Sequence, residues 1–133
     1  MDTLEAPIHD MSKGAAGLKA AVTILAKWGA TDEQGTAVLR VALATYARAK
    51  RRDPDWKVSL DQDQLTRISL VLNVHAALRD TLDNPENTYG FMAMANHNEY
   101  FDGRSPLEVI ASGGILDLYE TYRRIDILRE AQW

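Results

Sequence analysis

Apolar residues along this chain recur at intervals of three and four, the spacing that puts side chains on one face of a helix. The first such stripe is Leu18, Val22, Leu25 and Trp28; it predicts a helix from Ala15 that ends at Gly29. Residues 1–14 show no periodicity, and Pro7 and Gly14 within them read as an arm. Thr31 and Gln34 have the spacing of a capping box and open a short helix whose apolar face is Val38, Leu39 and Val41. Ala44 to Arg52 is a run of good helix formers that turns basic and stops before Pro54.

Ser59 and Gln62 make another capping-box pair, followed by a stripe of Leu65, Ile68, Leu72 and Ala76 widened by Val71 and Leu78. It predicts one long helix to Leu82, or two nearly continuous ones divided at Asn73, a residue that tolerates a left-handed corner. Asn84-Pro85 has the cap-then-proline order of a helix start, with Tyr89, Met92 and Ala93 as its buried positions. Ser105, Pro106 and Glu108 combine a cap, a proline at the first helical position and a capping-box acid, while Asp102-Gly103 and Gly113-Gly114 are turns on either side. Gly103 and Gly113 are expected at positive φ. Ile115, Leu118, Tyr122, Ile125 and Leu128 predict a last amphipathic helix reaching about Glu130. No run alternates as a strand would. The expected fold is therefore all-α, with about six or seven helices.

Composition narrows the class. The 133 residues are 46% hydrophobic and 26% charged, as in a soluble globular domain. The absence of cysteine excludes disulfides and cysteine-based zinc sites and fits a reducing compartment, so the expected location is cytoplasmic. No basic leader and no apolar run of about 20 residues points to secretion or a membrane. The net charge of −4 is unevenly spread. Arg40, Arg48, Lys50, Arg51, Arg52 and Lys57 outnumber Asp53 and Asp55, whereas from Arg79 to Glu120 acids predominate. The basic stretch can meet phosphate or simply be a solvated face.

Catalytic chemistry has little support. His9, His75 and His97 show no metal-ligand spacing, so no metal site or cofactor is expected. His97 with Glu99 is the nearest approach to an acid–base pair, but a loop rich in Asn and His is ordinary turn chemistry. The chain is read as a non-enzyme. From Thr31 to Arg52, a capped short helix, a tight turn and a basic helix have the shape of a helix-turn-helix. Its candidate DNA contacts are Thr45, Tyr46, Arg48, Lys50, Arg51 and Arg52, with Tyr46 fitting the core equally well.

Three blocks extend the reading. They are Ile24-Leu25-Ala26-Lys27-Trp28-Gly29; Leu65-Thr66-Arg67-Ile68-Ser69 through His75-Ala76-Ala77-Leu78; and Asn96 with Gly103-Arg104-Ser105-Pro106-Leu107 and Gly113-Gly114. Together they resemble antitoxins of the Xre/MbcA/ParS type, the partners of RES-domain toxins. The chain departs from that pattern at Phe91, where a tryptophan is usual, and at Val38-Leu39-Arg40, where Leu-Leu-Gly is usual. The resemblance implies a helix-turn-helix-like unit over 15–83 behind an arm of 1–14, and a toxin-binding helical unit over 84–133. It implies a homodimer within a toxin–antitoxin hetero-oligomer, and promoter DNA as a further ligand. The implied partner is a NAD-degrading or ADP-ribosylating toxin whose NAD pocket is covered by the antitoxin's C-terminal part. Arg104, Arg123, Arg124, Arg129 and Trp133 are the expected toxin contacts, since arginine and tryptophan are enriched at interface hot spots. The alternatives are a helical DNA-binding regulator with no toxin, and a small helical enzyme built on the His97 loop.

Overall fold

The structure, a computed structural model, describes residues 5–131, with side chains from 11 to 130. Among the described residues it is all-α, with no strand. Seven helices follow in order: α1 (Glu5–Lys27), α2 (Asp32–Leu39), α3 (Leu43–Ala49), α4 (Gln62–Thr81), α5 (Pro85–Gly90), α6 (Pro106–Ile110) and α7 (Ile115–Ala131). A single 3₁₀ turn, Phe91–Ala93, follows α5.

Helix α4 is the central element, packing on α1 on one side and α7 on the other. That is why Leu70, Val71, Val74, Ala77 and Leu78 are all buried, a wider apolar surface than a helix with one covered face needs. The helix passes through Asn73, which is exposed, without interruption. Its cap is Asp61 with Gln64, not Ser59 with Gln62. Both pairs have the capping-box spacing, and the carboxylate two residues later captures the helix start. The hydrophobic core is continuous across the boundary expected near residue 83, since Leu18, Trp28 and Val38 share one cluster with Met92, Leu107 and Leu118.

The expected arm of 1–14 is corrected over its described part, because α1 begins at Glu5. Pro7 lies in the first turn, where a missing N–H costs nothing. Gly14 is buried, and a Cβ there would stand 3.2 Å from Leu60 Cδ1 and 3.6 Å from the Val58 carbonyl oxygen. The 56–60 segment thus crosses close over α1, and this packing offsets the low helix propensity of glycine, about 1 kcal/mol below alanine. Farther along, Leu18 and Leu25 are wholly buried, each stabilising the fold by about 1.5–3 kcal/mol.

Helices α2 and α3 meet through a close approach. Gly35 presents no side chain where the Tyr46 ring lies; a Cβ would fall 2.1 Å from the Tyr46 hydroxyl oxygen. The three-residue turn between them has Arg40 in the left-handed region, φ 56° and ψ 46°. An L-residue is disfavoured there, and local partners hold it: Arg40 pairs with Asp61 and, at 2.6 Å, with Asp63, while Gln64 donates to its carbonyl oxygen at 2.9 Å. The basic helix expected to reach Arg52 stops at Ala49. Lys50 and Arg51 N–H groups turn back to Ala47 and Arg48, and the Asp53 carboxylate accepts from the Asp55 N–H, an Asx-turn that leads into Pro54's neighbourhood as a loop.

Candidate protein-interaction site

The C-terminal third is built around the turn-helix-turn from Asn96 to Gly114. Gly103 N–H donates to the Asn96 carbonyl and Asn96 N–H to the Arg104 carbonyl, closing a loop of which Asp102 and Gly103 are the positive-φ residues. Ser105 and Glu108 form the complete capping box of α6, and Gly113 leaves it at φ 90°. The loop is strapped to α7. Tyr100 donates at 2.6 Å to Asp117, and Arg124 donates at 3.2 Å to Asn98 while its guanidinium lies 5.1 Å from the Tyr100 ring centre. Burial, followed by the Asp117 hydrogen bond, pushes the Tyr100 phenol up to about 12. It remains a neutral donor throughout the physiological range.

This loop holds α7 so that Leu118, Thr121 and Ile125 are buried against the rest of the molecule. The opposite face is also apolar. Leu116, Tyr119, Arg123 and Ile127 succeed one another at helical intervals along it, and Leu116 is 80% exposed, Tyr119 51% and Ile127 46%. The stripe is about 16 Å long at 1.5 Å per residue. At its middle Arg123 pairs with Glu120 at 2.7 Å, and Glu120 also receives Arg124. The two guanidinium groups, Arg123 first, hold the Glu120 carboxyl at about 2. Scattered exposed apolar residues are ordinary, but a row of them on a helix whose other face already fills the core makes this face the candidate contact surface.

The expected toxin contacts divide on this geometry. Arg123 stands on the exposed stripe. Arg104, though exposed, is folded into its own loop, donating to the carbonyl oxygens of Phe101 and Tyr100, both at 2.8 Å. Arg124 is committed to the loop strap, and Arg129 pairs with Asp80 on α4 and with Asp126. Trp133 lies outside the described residues. Leu116, Tyr119 and Ile127 were missed in the sequence because a second stripe, Leu118, Tyr122 and Ile125, interleaves with them.

The expected DNA contacts are more widely dispersed. Tyr46 is corrected: at 1% exposure it is a core residue, and burial raises its phenol to about 12. Arg48 pairs with Asp53 and lies over Trp56; Lys50 pairs with Asp32 and lies over Tyr46. Thr45 is half-buried, whereas Arg51 and Arg52 are exposed beyond the end of α3. The outer surface of α3 itself presents Leu43, Ala44 and Ala47, which have no hydrogen-bonding side chains. Of the histidines whose side chains are described, His75 is stacked on Tyr89, and burial followed by Arg79 and Lys27 lowers its pKa. His97 is exposed, 3.8 Å from where a Gly103 Cβ would be.

Among the described residues, no helix is long and apolar enough to cross a membrane. Comparison with protein-family models, curated proteins and solved structures returned no match.

Proposed function

We propose that this protein is a cytoplasmic antitoxin that neutralises a NAD-using RES-domain toxin by binding it through α7 and covering its NAD pocket. The observation that supports this reading is the exposed row of Leu116, Tyr119, Arg123 and Ile127 on a helix fully anchored from behind. Such a surface matches what interface cores use: apolar and aromatic side chains around an arginine. The sequence after Ala131 includes Trp133, the residue type suited to fill a pocket. Arg123 is the candidate for a carboxylate or phosphate on the partner, since its present partner Glu120 retains Arg124 when Arg123 leaves.

The test is co-expression with a RES-domain toxin. The wild-type chain forms a complex that excludes NAD from the toxin and restores growth. Leu116→Glu with Ile127→Glu leaves the helix content intact and weakens the complex at least thirtyfold, the equivalent of a hot spot of about 2 kcal/mol. Undiminished neutralisation by that variant, or NAD binding to the toxin undisturbed by excess antitoxin, rejects the reading.

A second reading, promoter binding, is favoured by the α2–turn–α3 arrangement with Arg51 and Arg52 exposed at its end. Because the outer face of α3 is Leu43, Ala44 and Ala47, such binding would be to phosphates rather than to base edges. Its signature is an affinity that falls steeply with salt, with a log–log slope of about −0.9 per phosphate contact.

A further inference from the structure

Away from α7, a trough with two limbs lies between α1 and the end of α3. One limb, of about 480 Å³, is lined by Val22, Thr23, Ala26, Lys27, Ala49 and Lys50. The other, of about 530 Å³, shares Thr23, Ala49 and Lys50 with it and adds Lys19 and the 51–54 segment. On the α1 wall, Lys19, Val22, Thr23, Ala26 and Lys27 follow one another at helical intervals, so the trough runs along one face of the helix for about two turns, roughly 12 Å.

The limbs differ in chemistry. In the first, the charges are drawn away: Lys27 Nζ lies 4.9 Å from the ring centre of Tyr89 on α5, and Lys50 pairs with Asp32 on α2. What remains is a floor of Val22, Ala26 and Ala49 between two aliphatic lysine stems. In the second limb, the charge is uncommitted. Asp53, the acid in its wall, is taken up by Arg48 and by the Asp55 N–H. Lys19 donates to the Asp53 carbonyl oxygen, while Arg51 and Arg52 are exposed and pair with no carboxylate among the described residues. Two neighbouring guanidinium groups suit a phosphate-type head, which accepts several charge-assisted hydrogen bonds at once.

We infer that this trough binds a small amphipathic anion: a single molecule with an unbranched alkyl or acyl chain and a phosphate-type head. The chain lies along Val22, Ala26 and Ala49, and the head meets Arg51 and Arg52. Bare phosphate would leave the apolar limb unused, and an uncharged chain would leave the guanidinium groups unused. The inference needs neither the toxin, whose residues are on α7, nor nucleic acid, so its failure would leave both readings of the function untouched.

Calorimetry on the full chain with decyl phosphate, kept below its micelle-forming concentration, provides the test. One equivalent binds. Inorganic phosphate and decyl maltoside, which supply the head and the tail separately, each bind at least about tenfold more weakly. Arg51→Ala with Arg52→Ala, and separately Ala26→Glu, each raise the dissociation constant for decyl phosphate at least about tenfold. Helix content by circular dichroism is unchanged in both, since all three positions are exposed and alanine and glutamate are good helix formers. Lys57→Ala, which removes an exposed cation outside the trough, binds as the wild type does. Absence of binding overturns the proposal, and so does binding of several equivalents that neither variant weakens. Inorganic phosphate held as tightly as decyl phosphate overturns it as well, because the apolar limb would then contribute nothing.

Discussion

Arg67 donates from Nη1 to the carbonyl oxygen of Gly113 at 2.7 Å, and from the same nitrogen to the carbonyl oxygen of Val38 at 3.2 Å. One side chain on the central helix thereby satisfies the end of α2 and the corner after α6, while its Nε is paired with Asp63 at 2.9 Å. Arg67 is only 6% exposed. Removing it leaves two inward carbonyl groups short of a charged donor. Arg67→Ala is expected to cost about 3 kcal/mol, a fall in melting temperature of about 10 °C by calorimetry. Arg67→Lys should rescue little, because an ammonium cannot reproduce the planar fork that reaches Asp63 and both carbonyls.

Gly35→Ala reverses the usual helix rule. In an open helix the change stabilises by about 1 kcal/mol. Here the new methyl would be driven into the Tyr46 ring, which must move. Overpacking of this kind costs about 1–3 kcal/mol, so the variant should melt below the wild type in a thermal scan.

Gly113→Val should destabilise by about 1–2 kcal/mol. The residue is at φ 90°, and its Cβ would stand 3.4 Å from the Ala37 carbonyl oxygen. The same variant should neutralise the toxin less well if α7 is the docking helix, since this corner sets where α7 begins. Melting and growth protection measured together check both parts.

How much of this was visible in the sequence depends on how local each signal is. The capping boxes at Thr31 and Ser105 and the positive φ of Gly103 and Gly113 were legible, because each needs only its own few residues. The start of α4 was misplaced by two residues because Ser59 and Asp61 both precede a glutamine at the same spacing. No role for Arg67 is legible from its sequence neighbours, since its carbonyl partners come from α2 and the α6–α7 corner. The candidate site was legible only at Arg123. Tyr46 was ambiguous because burial of an aromatic ring depends on Gly35, eleven positions away and on a different helix.

Arg40→Gly and Arg40→Ala should separate two effects at the left-handed turn. Both remove the pairs with Asp61 and Asp63, but glycine alone relieves the backbone. Arg40→Gly is therefore expected to melt above Arg40→Ala. Equal melting temperatures would mean that the turn carries no strain.

Acid should weaken the fold through carboxylates that hold arginines. Glu120 is lowered to about 2, chiefly by Arg123 and Arg124, and Asp53, Asp61 and Asp63 are lowered by their arginine partners. Groups with a depressed folded pKa contribute stability that is complete above their unfolded values and is lost as pH falls through the folded ones. The melting temperature should thus be level from about pH 7 to 5 and decline toward pH 2. Glu120→Gln should flatten the lower part of that decline.

The position of α4 between α1 and α7 also governs how the molecule would report being held. If α7 were pulled away, α4 would lose part of its cover, and α1 would be left leaning on a half-bare support. Neither flank can loosen in private. A partner that grips α7 therefore lends its binding energy to the whole chain, and slower proteolysis and amide exchange should extend as far as α1, which that partner never touches.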